Sequence, residues 1–204
     1  MPQRGGRILR RVRYNHHPGA DIGLETEHLL IRDHVEGDLH PFFALVSDRN
    51  VMRYLPEIYC DALEGVQEKL RENIAEAGSI QRTKFYLAIN ERETGEFVGA
   101  IGIMMESQHV ENGRGNLGYF IHEKFWGKGY ATEAAKAVLD FAFATIGLHK
   151  IVSSCLHENA ASEAVMKKCG MIKEGDLLQQ SWHEGQWKDR VLYRMLKSEW
   201  ANGI

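Results

Sequence analysis

The residues best placed to do chemistry in this chain fall in two short stretches. The first is Gly127-Lys128-Gly129, between an apolar run and a helical pattern. Two glycines in alternate positions leave no side chain between a ligand and the loop's N–H groups. A helix starting just beyond adds uncapped amides and the positive end of its dipole, which together make a pyrophosphate seat that needs no metal. Lys128 adds charge. The same spacing also suits a tight strand-to-helix turn that merely needs glycine. The second stretch is "LHENAAS", residues 156–162. His157 and Glu158 can take a proton at the carboxyl end of a strand. Asn159 is an N-cap candidate, and Ser162 stands at the third helical position after it. His122 and Glu123 are further titratable candidates. Tyr54, Trp126, Trp182 and Trp187 could line a groove, although aromatics at such spacings are commonly core and loop charges are commonly solvated.

Two other phosphate motifs fail on inspection. A P-loop needs Ser or Thr after its lysine to hold magnesium, and Gly129 follows Lys128. Gly113, Gly115 and Gly118 fit GxGxxG, but that fingerprint must follow a strand and open a helix. Here it precedes the apolar run "YFI" and reads as a turn between strands.

The elements that must carry these residues follow from periodicity. A strand is expected over 28–33, and a helix starting at a cap-like Asp38. Leu63, Val66, Leu70, Ile74 and Ala77 recur on one helical face that Gly78 ends. "KFYLAINERETGEFVGAIGIMM" reads as two strands around Glu93-Thr94-Gly95, and "RGNLGYFIH" as a third. Ala131, Ala134, Ala135, Val138 and Ala142 predict an amphipathic helix over 130–146. A short strand "HKIVSSCL", a helix from Asn159 to Gly170, and two long strands around Glu184-Gly185 complete the chain. The order β α α β β β α β α β β predicts one α/β domain over about 25–200, a mixed, mostly antiparallel sheet flanked by helices on both faces.

Residues 1–24 differ from the rest. Arg4, Arg7, Arg10, Arg11 and Arg13 outnumber Asp21, which suggests a solvated basic extension or an extra edge strand, with an RNA-touching arm as the sharper alternative. His16 and His17 lack further ligands at metal-binding spacing. The whole chain of 204 residues carries a net charge of −3, which argues against a dedicated DNA or other nucleic-acid binder. Cys60, Cys155 and Cys169 are dispersed, which fits a reducing compartment rather than a disulfide framework or a zinc site. The start "MPQRGGRILRR" has no apolar signal core, and no run approaches the roughly 18 residues of a membrane span. A cytoplasmic protein without a metal or membrane partner is the expectation.

On these residues the chain resembles the GNAT superfamily of N-acetyltransferases, which use acetyl-CoA. The family motif Gln/Arg-x-x-Gly-x-Gly/Ala stands here as Lys124-Phe125-Trp126-Gly127-Lys128-Gly129, with lysine at the first position. "GYFIHEKFWGKGYATEA", "HENAASEAVMKKCGM" and the later "EG…W.D…Y" resemble the branch that acetylates the N-terminal α-amine of ribosomal proteins, over about residues 25–198. The resemblance implies a GNAT-like fold, acetyl-CoA as co-substrate, an amine acceptor such as a protein N-terminus, and room for a homodimer. It implies that strand residues Tyr119, Phe120 and Ile121 pair with the pantetheine arm. Gly127, Lys128, Gly129, Tyr130, Ala131 and Thr132 would form the pyrophosphate loop, and Asn159 would touch the cofactor further along. A tyrosine that often protonates the departing thiolate is replaced by Met166. Ser162 is then the nearest hydroxyl to serve as acid, and His157 or Glu158 as base. Two rivals stay open: a non-catalytic acetyl-CoA-binding module, which Met166 favours, and an acetyltransferase for a small amine such as an antibiotic or polyamine.

Overall fold

The computed structural model describes residues 9–13, 21–106 and 113–203. The described strands form one sheet in the order β1-β2-β3-β4-β5-β6-β7-β9-β8. They are β1 (Arg11–Arg13), β2 (Gly23–Glu25), β3 (Leu29–Asp33), β4 (Lys84–Glu91), β5 (Phe97–Met105), β6 (Arg114–Ile121), β7 (Lys150–Leu156), β8 (Ile172–His183) and β9 (Gln186–Leu196). Neighbours are antiparallel, except that β6 and β7 run parallel. A parallel pair needs a long crossover, and the helix after the glycine loop supplies it.

The centre of the sheet is buried on both faces. There β5 reads Phe-Val-Gly-Ala-Ile-Gly-Ile-Met-Met, apolar without alternation, as a strand covered on both sides must be. On one face Ile31, Leu87, Ile89, Ile101 and Ile103 pack with α3 (Tyr130–Phe141) and with Met166 of α4 (Ala160–Lys168). On the other face Ala88, Phe97 and Ala100 pack with α1 (Leu39–Val46) and α2 (Leu63–Ala77). α2 presents Val66 and Leu70 as its buried contacts.

Several expectations hold in detail. Asn159 Oδ1 accepts the Ser162 amide at 3.1 Å, so α4 begins where its cap predicts. The helical pattern over 130–146 is α3 followed by a wider turn, Ala142–Ile146, that closes on Gly147. Others change. Asp38 does not cap α1: it closes a 3-10 turn, and its carboxylate turns back to Arg32 Nη1 and Nη2 at 2.8 and 2.7 Å and to the Val35 amide. Gly115 and Gly118 do not form a turn between strands but lie within β6. A Cβ on Gly115 would come within 2.7 Å of Ile103, so glycine is needed there for close strand packing. The tail forms a short α5 (Lys197–Ala201), whose Trp200 stacks on Phe143; periodicity gave no hint of it. Within the basic segment Arg11–Arg13 forms the edge strand beside β2; Arg4, Arg7, His16 and His17 lie outside the described residues.

Candidate active site

β6 and β7 stay together for three pairs only, Arg114↔Lys150, Gly115↔Ile151 and Asn116↔Val152. One residue on, the Ser153 hydroxyl donates to the Leu117 carbonyl at 2.9 Å in place of a ladder bond. Beyond it the strands part. Residues 118–121 keep β5 on one side and have no strand on the other, where Trp126 Nε1 donates to the Ile121 carbonyl at 2.8 Å. Gly118 widens the opening, since a Cβ there would meet nothing within 4 Å. Phe120 and Ile121, both predicted to line the cofactor, sit on this free stretch with their side chains turned into the two opposite cores. Only their backbone is left to pair with an extended ligand.

The opening leads to the start of α3. Gly127 and Gly129 have φ of +76° and +85°. A side chain is strained in that region, and a Cβ on either would point into empty space. Glu133 N donates to Gly129 O at 3.0 Å. The amides of Tyr130, Ala131 and Thr132, one turn earlier, therefore have no helical carbonyl to reach. These residues form a backbone concavity with the charge and donors an anion needs. The charged and aromatic side chains of the loop, and the Thr132 carbonyl, have partners outside the seat. Lys128 lies across the rings of Phe125 and Tyr130 and 3.7 Å from Glu91 Oε1, instead of projecting into the seat. Lys124 is ion-paired to Glu96. Tyr130 donates to Glu91 Oε1 at 2.6 Å, and that hydrogen bond, with burial, pushes its hydroxyl up to about 12. Thr132 offers its carbonyl to Cys169. Ala131 packs against the core.

The helix start is held in place from outside. The Glu133 carboxylate accepts from Thr26 Oγ1 at 2.6 Å, from the His28 amide at 2.8 Å and from His28 Nδ1 at 2.9 Å. Burial alone would raise this carboxyl, but the three donors outweigh it and hold it below its usual value.

On the far side of the opening, Ser162 meets a partner that the sequence reading did not assign. The hydroxyls of Tyr119 and Ser162 lie 3.1 Å apart, and Tyr119 also donates to the Ser162 carbonyl at 3.0 Å. Burial raises the Tyr119 hydroxyl well above the usual phenol range. Alternation along β6 puts Tyr119 on the α4 side, a signal available in the sequence. Cys155 lies behind, its thiol raised by burial and partly offset by Ser162. Met166 is 1% exposed, a core residue far from any proton-donating role.

The proton-accepting candidates separate. His157 is exposed, and its amide is tied to the Asp189 carbonyl. Glu158 is exposed and bonded by Lys188 Nζ at 2.9 Å. That ammonium, more than any other group, holds its carboxyl below the usual range and makes it a weaker base. His122 is half-buried at the end of β6, 3.4 Å from the Pro41 carbonyl, and burial lowers its pKa. Glu123 accepts from Asn50. The structure adds His183, at the end of β8: a buried ring whose Nε2 has no hydrogen-bond partner. One donor atom each from Glu158, His183 and Glu184 lie within 4.8 Å of one another. Tyr54, from the segment between α1 and α2, packs 6.2 Å from the His183 ring. The predicted tendency of the tryptophans towards the core does not hold. Trp126, Trp182 and Trp187 are 52, 61 and 57% exposed, the last two packed edge to face on the hairpin.

A family profile described as "Acetyltransferase (GNAT) domain" matches residues 28–172. The chain belongs to the GNAT acetyltransferase family. It is 30% identical over 179 residues to the uncharacterized N-acetyltransferase YnaD of Bacillus subtilis, covering 87% of this chain and 98% of that one. It is 28% identical over 126 residues to the [ribosomal protein uS5]-alanine N-acetyltransferase of Escherichia coli, covering 60% and 63%. It is 24% identical over 174 residues to the spermidine N(1)-acetyltransferase of Vibrio cholerae, covering 85% and 96%. The crystal structure of a GNAT-family acetyltransferase from Bacillus anthracis superposes with a TM-score of 0.75 at 29% identity, over 87% of this chain and 99% of that one. The fold is that of GNAT acyltransferases, and the protein is an acetyl-CoA-dependent N-acetyltransferase. No described helix is long and apolar enough to cross a membrane.

Proposed function

We propose that this GNAT acetyltransferase moves the acetyl group of acetyl-CoA to the N-terminal α-amine of a protein. The observation that carries the reading is the mixed charge of the mouth formed by the end of β7, the β8–β9 hairpin and the segment after α1. Its carboxylate Glu158 accepts from Lys188 and stands in the field of Arg53, with Glu184 nearby across His183. A polyamine carries several ammonium groups and favours an acidic groove; Lys188 and Arg53 work against that. An α-amine has an ordinary pKa near 8, against about 10.4 for a lysine, so a modest base suffices to neutralise it.

In this reading the pyrophosphate rests on the amides of Gly127 to Thr132, and the pantetheine arm pairs with the open edge at Tyr119–Ile121. Asn159 shapes the inner wall by holding the start of α4. The neutral amine attacks the thioester carbon. Backbone N–H groups on the parted strand stabilise the oxyanion, the C–N bond forms and the C–S bond breaks. Ser162, with Tyr119 behind it, gives the thiolate its proton. The helix terminus beside Ser162 favours the negative charge that develops there.

The test is incubation with labelled acetyl-CoA and three acceptors: Ala- and Ser-initiated peptides, the same peptides blocked at the α-amine but carrying lysine, and spermidine. The expected label is on free N-termini. Label only on lysine side chains or on spermidine contradicts the reading.

A further inference from the structure

His183 is the one proton-accepting group at the acceptor mouth, among the described residues, that is both buried and without a partner. Its side chain is 6% exposed, and Nε2 finds no hydrogen bond. A buried polar nitrogen left unpaired carries an uncompensated desolvation cost, which an arriving N–H donor would recover. The ring is held on several sides. Glu184 Oε1 lies 4.0 Å from Nε2. Glu158 approaches from the turn after β7, and its carboxylate is drawn by Lys188 of β9. Tyr54 and Arg53 approach from the segment after α1. Glu158 immediately precedes Asn159, which caps the helix carrying Ser162. The cluster thus lies at the same strand end as the thiolate donor, on the side facing the hairpin.

We propose that His183 is the general base that neutralises the acceptor ammonium. This rests on the acetyl-transfer reading above. The ammonium gives one proton to His183 Nε2, and the freed amine attacks the thioester. The second amine proton passes to water as the tetrahedral intermediate collapses to amide, and the thiolate takes one from Ser162, which regains a proton from water. His183 then releases its proton to water. Glu158 and Glu184 lie beside the ring that takes the proton, and Lys188 is bonded to Glu158. The same three donors could hold a cation, but Lys188 already occupies Glu158, so the amine is the occupant the cluster fits better.

The experiment compares wild type with His183→Gln and His183→Ala in buffer containing EDTA, using Ala- and Ser-initiated peptides between pH 6 and 9.5. The expected result is a fall in kcat/KM of about tenfold at pH 7, where about a tenth of an amine with a pKa near 8 is already neutral, with acetyl-CoA affinity unchanged. The variant rates should climb as the peptide amine deprotonates, closing most of the gap above its pKa near 8. Added imidazole should partly restore His183→Ala. A deficit equal at every pH with no rescue, or variants with the wild-type profile, would overturn the role of His183 alone. A wild type that transfers acetyl to no peptide would overturn the α-amine reading and this proposal with it.

Discussion

The proposed cofactor side and the proposed acceptor side of this enzyme are built from different materials. The seat at 127–132 is backbone: two glycines in left-handed conformation, a run of amides and an open strand edge, with Lys124 and Lys128 turned away to Glu96 and Glu91. The acceptor mouth is side chains from segments far apart in sequence: Tyr54, Glu158, His183 and Lys188 meet only in the fold. A site made of backbone depends on conformation and tolerates changes of charge. A site made of side chains depends on identity. The two sides should therefore respond differently to substitution.

The largest effect is expected at Gly129. Valine there must adopt a φ of +85°, and its methyl groups would fill the volume the pyrophosphate needs. Acetyl-CoA affinity should fall by about 10³-fold, or about 4 kcal/mol, read by calorimetric titration of a variant that circular dichroism shows to be folded. Unchanged affinity would make the glycine a turn residue only. Next in size is Ser162→Ala. Loss of the proposed proton donor should lower kcat by about 10²-fold and leave acetyl-CoA affinity within about threefold. A variant with near-normal kcat would mean solvent does the work, and one that lost only affinity would make Ser162 a binding residue.

A smaller effect is expected at Glu133, which ties the cofactor side to Thr26 and His28. Glu133→Gln should cost about 1–2 kcal/mol of stability, measured by urea unfolding at pH 7. Because the folded carboxyl lies below its ordinary value, its contribution is full above about pH 4.3 and fades as acid carries the pH through the lower folded value. Wild type and variant should therefore converge on acidification. The smallest effect is expected at Lys128. Lys128→Ala should weaken acetyl-CoA binding only about two- to fivefold, since an exposed lysine contributes about 1 kcal/mol or less. A loss as large as that of Gly129→Val would mean charge, not backbone, makes the seat.

The same division explains what could be read from the sequence. The glycine pair, the cap at Asn159 and the helical periodicities are local, and local spacing determines backbone conformation; each appears in the structure where expected. The parting of β6 from β7 was not legible in periodicity and was implied only by the family resemblance; the Ser153 hydroxyl that reaches Leu117 across the two strands leaves no local mark. Asp38 looked like a cap because its neighbours fit one, yet Arg32 offered a charged fork that a neutral amide cannot match. Gly115 looked like a turn because nothing in its own segment records how close Ile103 comes. His183 sat in an ordinary hairpin sequence. Its significance comes from Glu158, 25 residues earlier in the chain, and from Tyr54 in the first third.

Hydrogen-exchange mass spectrometry tests the division most directly, with the protein alone, with acetyl-CoA, and with CoA joined covalently to the α-amine of an Ala-initiated peptide. Acetyl-CoA should slow exchange at residues 118–121 and 127–132 and leave 181–188 unchanged. The conjugate should add protection at 53–58 and 181–188. Protection of the hairpin by acetyl-CoA alone, or none at 127–132 with either ligand, would contradict it.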